Sequence, residues 1–199
     1  MLFPLIGIAI FSGLIGLLWL SLALIVQFVI DKIMLQGSFS ALIWFSTVAG
    51  LILIVVSGLE LALAVFVTNI SSSGISSLTL KTSIELPRVV LYLVFMAYYN
   101  LKSTSLACLL TALMCIAFFV FLQQENREAT ALNTAIRSTL QGIFPISSRI
   151  MLGFAVLPAF LYGSTFVIQL ELTIGQLIAF SIINILFIVS SLNIVIAAS

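Results

Sequence analysis

Histidine is absent from the 199-residue chain, and charge of either sign is scarce, with Lys and Arg totalling 7 and Asp and Glu totalling 6. Without histidine the chain lacks the most common metal ligand and the side chain best placed to act as a general base near neutral pH. Serine and threonine are plentiful, but no base of the usual kind stands ready to activate one, so nucleophilic catalysis has no evident machinery. No G-x-x-x-x-G-K-[ST] phosphate loop occurs, which excludes ATP binding in the P-loop manner by this chain. A net charge of +1 gives no basis for nucleic-acid binding. The two cysteines, Cys108 and Cys115, fall in one apolar run. On a single helix they stand about 10 Å apart, too far to bridge, and they read as packing residues. No catalytic residue, metal ligand or cofactor site is therefore expected in this chain.

What is present is apolar. Hydrophobic residues make up 63% of the chain and charged residues 7%, with a mean hydropathy of +1.38. An ordinary soluble domain carries roughly 25% charged residues. The expected class is an all-α integral membrane protein forming a single transmembrane domain over residues 1–199, with the lipid bilayer as its first partner. Residues 1–30 carry no charge. They lack the basic start and short apolar core of a cleaved signal, so a retained first helix is expected. Hydrophobic runs and their breaks predict six membrane helices, at about 5–30, 41–70, 86–99, 104–122, 150–169 and 173–198. An amphipathic helix is expected over about 123–141, where Ala129, Leu132, Ile136 and Leu140 share a face. The serine-rich run from Ser71 reads as a loop continuing to Glu85.

Two polar side chains inside the expected spans, Gln27 and Glu60, are the candidates for a pathway or for structural pairing. A carboxylate at membrane depth is a functional candidate by default, although Glu60 facing another helix or lying hydrated near a boundary is the simpler reading. The small residues Ser12, Gly13 and Gly16, and later Gly153, Ala159 and Gly163, read as close-packing positions. Basic residues set the orientation. Lys81, Arg88, Arg127, Arg137 and Arg149 are assigned to the second-to-third and fourth-to-fifth connections, against Lys32 and Lys102 on the other side. The positive-inside rule then places both termini in the cytoplasm.

The stretch Glu171-Leu172-Thr173-Ile174-Gly175-Gln176 is a turn with its own chemistry. Thr173 and Gln176 have the spacing of a capping box, in which each side chain satisfies the other residue's backbone N–H. Glu171 lies near the positive end of the helix that follows. Gly175 is a poor helix former in a first turn, so the close approach of a neighbouring helix is expected there, since small residues let backbones meet in membranes.

Several of these stretches also resemble a known family. "ELTIGQLIAF" (171–180) resembles the turn between the fifth and sixth membrane helices of type I ABC exporters, in particular the peptide, bacteriocin and type I secretion group. "VIDKIMLQGSFSAL" (29–42) resembles the exit of their first helix. "ELPRVVLYLVFMAYYNLKSTSLACLL" (85–110) resembles their third-to-fourth hairpin, and "EATALNTAIRSTLQGI" (128–143) the start of the extension after the fourth helix. The resemblance implies a six-helix exporter-like membrane domain in the bacterial inner membrane. It implies a permease part that moves peptides or other amphipathic substrates outward, pairs with a second such domain as a homodimer or heterodimer, and uses ATP only through a separate nucleotide-binding subunit. The chain departs from the family at its cytoplasmic connections, which span only 71–85 and 123–150. The alternative is a non-transporting membrane protein on the same scaffold, serving immunity, regulation or assembly, or a truncated exporter domain.

Overall fold

A computed structural model describes residues 2–33, 37, 39–71, 76–129, 160–169 and 172–198. All regular structure among the described residues is helical. Helix α1 (Leu2–Phe28) runs into a π-helical turn, Val29–Ile33. It is followed by α2 (Phe39–Ser71), α3 (Ser77–Tyr99), α4 (Leu101–Ala129), a short α5 (160–168) and α6 (Ile174–Ala198). Among the described residues, four stretches are long and apolar enough to cross a membrane: Leu5–Ile33, Ser40–Thr68, Leu101–Val120 and Ile174–Ala198.

The third helix departs most from the expected pattern. It starts at Ser77, so most of the segment expected as a loop through Glu85 is helix. The cause is local. Ser76 takes an extended conformation and its hydroxyl accepts the Thr79 N–H at 3.2 Å, which is a helix N-cap. Lys81, Glu85 and Arg88 therefore lie on α3 rather than in a connection. At the other end, Asn100 closes one helix and opens the next. Its N–H donates to the Met96 carbonyl at 3.2 Å, and its side-chain oxygen accepts the Ser103 N–H at 3.0 Å. The fourth helix extends past the expected 122 to Ala129, absorbing the start of the expected amphipathic segment. Residues 130–141 of that segment, residues 150–159 of the expected fifth helix, and Glu171 lie outside the described residues.

The central helix is α3, a long helix that is not among those four apolar stretches. α3 packs most broadly against α6 and then α1, while α1 also packs on α6 and α2, and α4 rests on α6 and α3. The larger core joins Leu20 and Ala23 of α1, Tyr92 and Met96 of α3, and Phe180, Ile183, Phe187 and Ile188 of α6. A smaller core joins Ile8 and Ile15 to Val56, Leu63 and Leu80. Lipid is as apolar as these side chains, so their burial alone does not drive helices together. Small residues that admit close contact and polar bonds between helices contribute instead. Gly16 shows this directly: a Cβ there would lie 3.4 Å from both Arg88 Cγ and Leu91 Cδ2. Gly163 abuts Leu177 in the same way, at 2.6 Å. The cysteines Cys108 and Cys115 are free, half-buried and packed against the larger core.

α1 and α3 are parallel and hold one register. The Ser12 hydroxyl donates to the Ile84 carbonyl at 2.5 Å, and the Tyr99 hydroxyl donates to Gln27 Oε1 at 2.5 Å, with a sequence separation of 72 in both cases. Gly16 opposite Arg88 repeats that offset. These pins sit about 22 Å apart along the helices by their rise.

Candidate functional site

Two polar constellations stand out, one at an end of the bundle and one inside it. The first joins the start of α6 to the end of α1. Gln176 N–H donates to Thr173 Oγ1 at 3.1 Å, and Thr173 N–H donates to Gln176 Oε1 at 2.9 Å, making both bonds of a capping box. Asp31, in the π-helical turn, adds what the local spacing does not contain. Its carboxylate accepts the Thr173 hydroxyl at 2.6 Å and the Gly175 N–H at 2.9 Å. An anion therefore sits at the positive end of α6, supplied by a residue more than 140 positions earlier. Gly175 is close-packed as expected, but its neighbour is this carboxylate rather than a helix backbone. Gln27, Asp31, Lys32, Thr173 and Gln176 border a cavity of about 460 Å³ beside the clasp. Gln27 itself is engaged as the acceptor for Tyr99.

The second constellation is charged and lies between the two ends of the bundle. Glu60 of α2 accepts the Trp19 indole N–H at 3.2 Å and lies 3.9 Å from Arg88 Nη1. The Arg88 side chain is 13% exposed and that of Glu60 43% exposed, so the pair is shielded more on the α3 side. One turn away on α3, Glu85 is 7% exposed, and its Oε1 accepts the Asn193 side-chain N–H of α6 at 2.8 Å. Glu85 Oε2 and Arg88 Nε have no hydrogen-bond partner among the described residues.

The register between α1 and α3 gives the depth of these groups. The apolar span of α1 runs from Leu5 to Ile33, so Trp19 is its midpoint. Arg88 stands level with Gly16 and Glu85 with position 13, which places them about 5 Å and 9 Å from that midpoint. Both distances fall inside a hydrocarbon half-thickness of about 15 Å. Ionisable side chains at that depth carry a large desolvation cost and mark functional positions by default.

Sequence reasoning singled out Glu60 and Gln27 but assigned Glu85 and Arg88 to a connection. The signal it passed over was the i, i+3 spacing of Glu85 and Arg88 beside the apolar run Val89–Val94, together with the Ser76 cap that starts the helix early. Asn193 is an isolated amide in α6, and nothing local marked it as the partner of Glu85. The structure does not bring Glu60 and Gln27 into one site, since each pairs at a different level. Among the described residues no group of three His, Cys, Asp or Glu side chains is placed to hold a metal. No protein-family model and no curated protein matches the sequence.

Proposed function

We propose that this chain is the membrane domain of an ATP-driven exporter for peptides or other amphipathic substrates. In this reading it works as a pair of such domains, with the ATPase domains carried on separate chains. The observation that carries the reading is the contact between the two stretches that most resemble the exporter family. Asp31 from "VIDKIMLQGSFSAL" is hydrogen-bonded to Thr173 and Gly175 from "ELTIGQLIAF". Two stretches far apart in sequence, each resembling that family, thus meet in one joint between α1's π-helical end and the start of α6. Both termini are cytoplasmic in this reading, the clasp faces outward, and the host membrane is a bacterial inner membrane. The family resemblance supports this assignment, and so does the placement of Lys81 and Arg127 towards the opposite end from Lys32 and Lys102.

The second reading, a non-transporting membrane protein that acts by binding, is favoured by a different observation. α2 ends at Ser71 and α3 begins at Ser77, leaving a short connection with little chain to reach a docked ATPase. Affinity purification of the full chain in mild detergent, co-expressed with P-loop ATPases encoded beside it, separates the two. Stoichiometric recovery of one ATPase supports the exporter. A monodisperse membrane protein that retains none of them supports the binding role.

A further inference from the structure

The start of α4 carries a group of side chains that neither polar constellation uses. Lys102, Ser105, Leu106 and Leu109 recur at helical spacing and so share one face of that helix. With Tyr162 of α5 they border a cavity of about 550 Å³. It lies at the clasp end of the bundle, since Lys102 closely follows Tyr99, the partner of Gln27. Its size falls within the range of about 300–1,000 Å³ that suits a small organic ligand. The lining is graded from polar to apolar. Lys102 is exposed, and its ammonium meets no carboxylate among the described residues. The Tyr162 phenol has no hydrogen-bond partner among them either, and its ring stands edge-on to Phe166 at 5.3 Å. Ser105 has no donor to spare, because its hydroxyl donates to the Lys102 carbonyl at 2.8 Å. Leu106 and Leu109 lie about 6 Å and 10 Å further along the axis by helix rise. The exposed side chains of Leu113, Ile116 and Val120 continue the same face.

An unpaired cation at the mouth of an apolar groove matches the order of groups in a membrane lipid, headgroup first and chain below. We infer that this groove binds one anionic phospholipid, its phosphate at Lys102 and Tyr162 and an acyl chain along Leu106 and Leu109. The depths agree. Lys102 lies in the first turn of the apolar span Leu101–Val120. The headgroup layer adds about 5–7 Å to each side of the hydrocarbon core. A phosphate at the Lys102 ammonium therefore stands in that layer, while the two leucines stand in the hydrocarbon. A peptide fits the groove less well. Its backbone N–H and C=O groups would need partners below Ser105, where the α4 face supplies only leucine. A net negative headgroup is favoured over a zwitterionic one, whose own ammonium competes with Lys102 for the phosphate. This inference rests on α4 and α5 and does not depend on the exporter reading.

Photocrosslinking of the full chain in phosphatidylcholine nanodiscs tests it, with a trace of phosphatidylglycerol carrying a diazirine on its acyl chain as the probe. Adducts are expected on the segment that holds Leu106 and Leu109. At fixed total lipid, unlabelled phosphatidylglycerol should suppress them, while phosphatidylethanolamine or added inorganic phosphate should not. Lys102→Gln should weaken the suppression about fivefold, the equivalent of about 1 kcal/mol for one basic side chain at an anionic surface. Lys102→Arg should retain it. Lys102 is exposed, so neither substitution unpacks the core, and the comparison of lipids in the unmodified protein stands without them. Equal suppression by phosphatidylethanolamine, or a Lys102→Gln variant that behaves as the unmodified protein, overturns the proposal in favour of unselective lipid contact. Suppression by inorganic phosphate overturns it in favour of a simple anion site. Suppression by an added amphipathic peptide, but not by phosphatidylglycerol, overturns it in favour of a peptide groove.

Discussion

Asp31 Oδ1 lies 2.9 Å from the Gly175 backbone nitrogen, and a Cβ added to Gly175 would come within 2.5 Å of the same oxygen. The absent side chain and the hydrogen bond are therefore one requirement. Any larger residue at 175 must push the carboxylate off the helix start, losing the bond and overpacking the joint at once. Overpacking costs about 1–3 kcal/mol and a lost hydrogen bond to a charged group about 1.5–3 kcal/mol, both at the low end where water reaches the site. Gly175→Leu is expected to lower the melting temperature in detergent more than Thr173→Ala does. Equal tolerance at the two positions, measured by thermal unfolding, would remove the clasp from the account.

The clasp also makes a pairwise prediction. Thr173 donates to Asp31 as well as capping α6, so Asp31→Ala and Thr173→Ala should be less than additive. Polar pairs between membrane helices average about 0.6 kcal/mol in such cycles, and a carboxylate partner raises the expected coupling to about 1 kcal/mol. A double-mutant cycle in detergent measures it. Strict additivity would mean the two side chains do not meet.

For the inner cluster, the prediction follows from the cost of orphaning a charge. Glu60→Leu leaves Arg88 shielded and without its anion, a loss of about 1–3 kcal/mol once the partial exposure of Glu60 is allowed for. Replacing Arg88 as well, in Glu60→Leu/Arg88→Leu, should recover most of that stability. A double variant less stable than either single one would show that the pair itself, rather than the avoidance of an orphan charge, holds α2 to α3.

How far these features were legible in the sequence depends on the distance over which they are specified. The capping box could be read because Thr173 and Gln176 are three residues apart and their geometry is fixed by the helix start. The small residues Ser12, Gly13 and Gly16 could be read as packing positions, and they do face α3, against Ile84, Pro87 and Arg88. Asp31 was visible as the end of a helix but not as the second cap on α6, because its partners come from the far end of the chain. α3 was cut short for a different reason. Glu85 and Arg88 lowered the apparent hydropathy of its first half, and burial of those charges against α1, α2 and α6 is a tertiary fact. The class of protein was thus set by composition, while the charged interior was set by which helices meet.

Orientation has its own check. The register places Gly37, Lys102 and Thr173 at one end of the bundle and Ser76 at the other. Single cysteines at Gly37 and Lys102, in a background with Cys108 and Cys115 replaced by alanine, should react with an impermeant maleimide from outside. A cysteine at Ser76 should react only after the membrane is opened. Labelling of Ser76 in intact cells would invert the orientation.

The proposal that this domain couples to ATP is tested most directly by the hydrolysis rate of a P-loop ATPase encoded beside it. That rate would be measured in liposomes with and without this chain, and then with an added amphipathic peptide. The account predicts little hydrolysis by the chain alone, a several-fold rise when both proteins are present, and a further rise with peptide. An ATPase rate that this chain leaves unchanged, in liposomes where the chain is shown to be folded and correctly inserted, would contradict it.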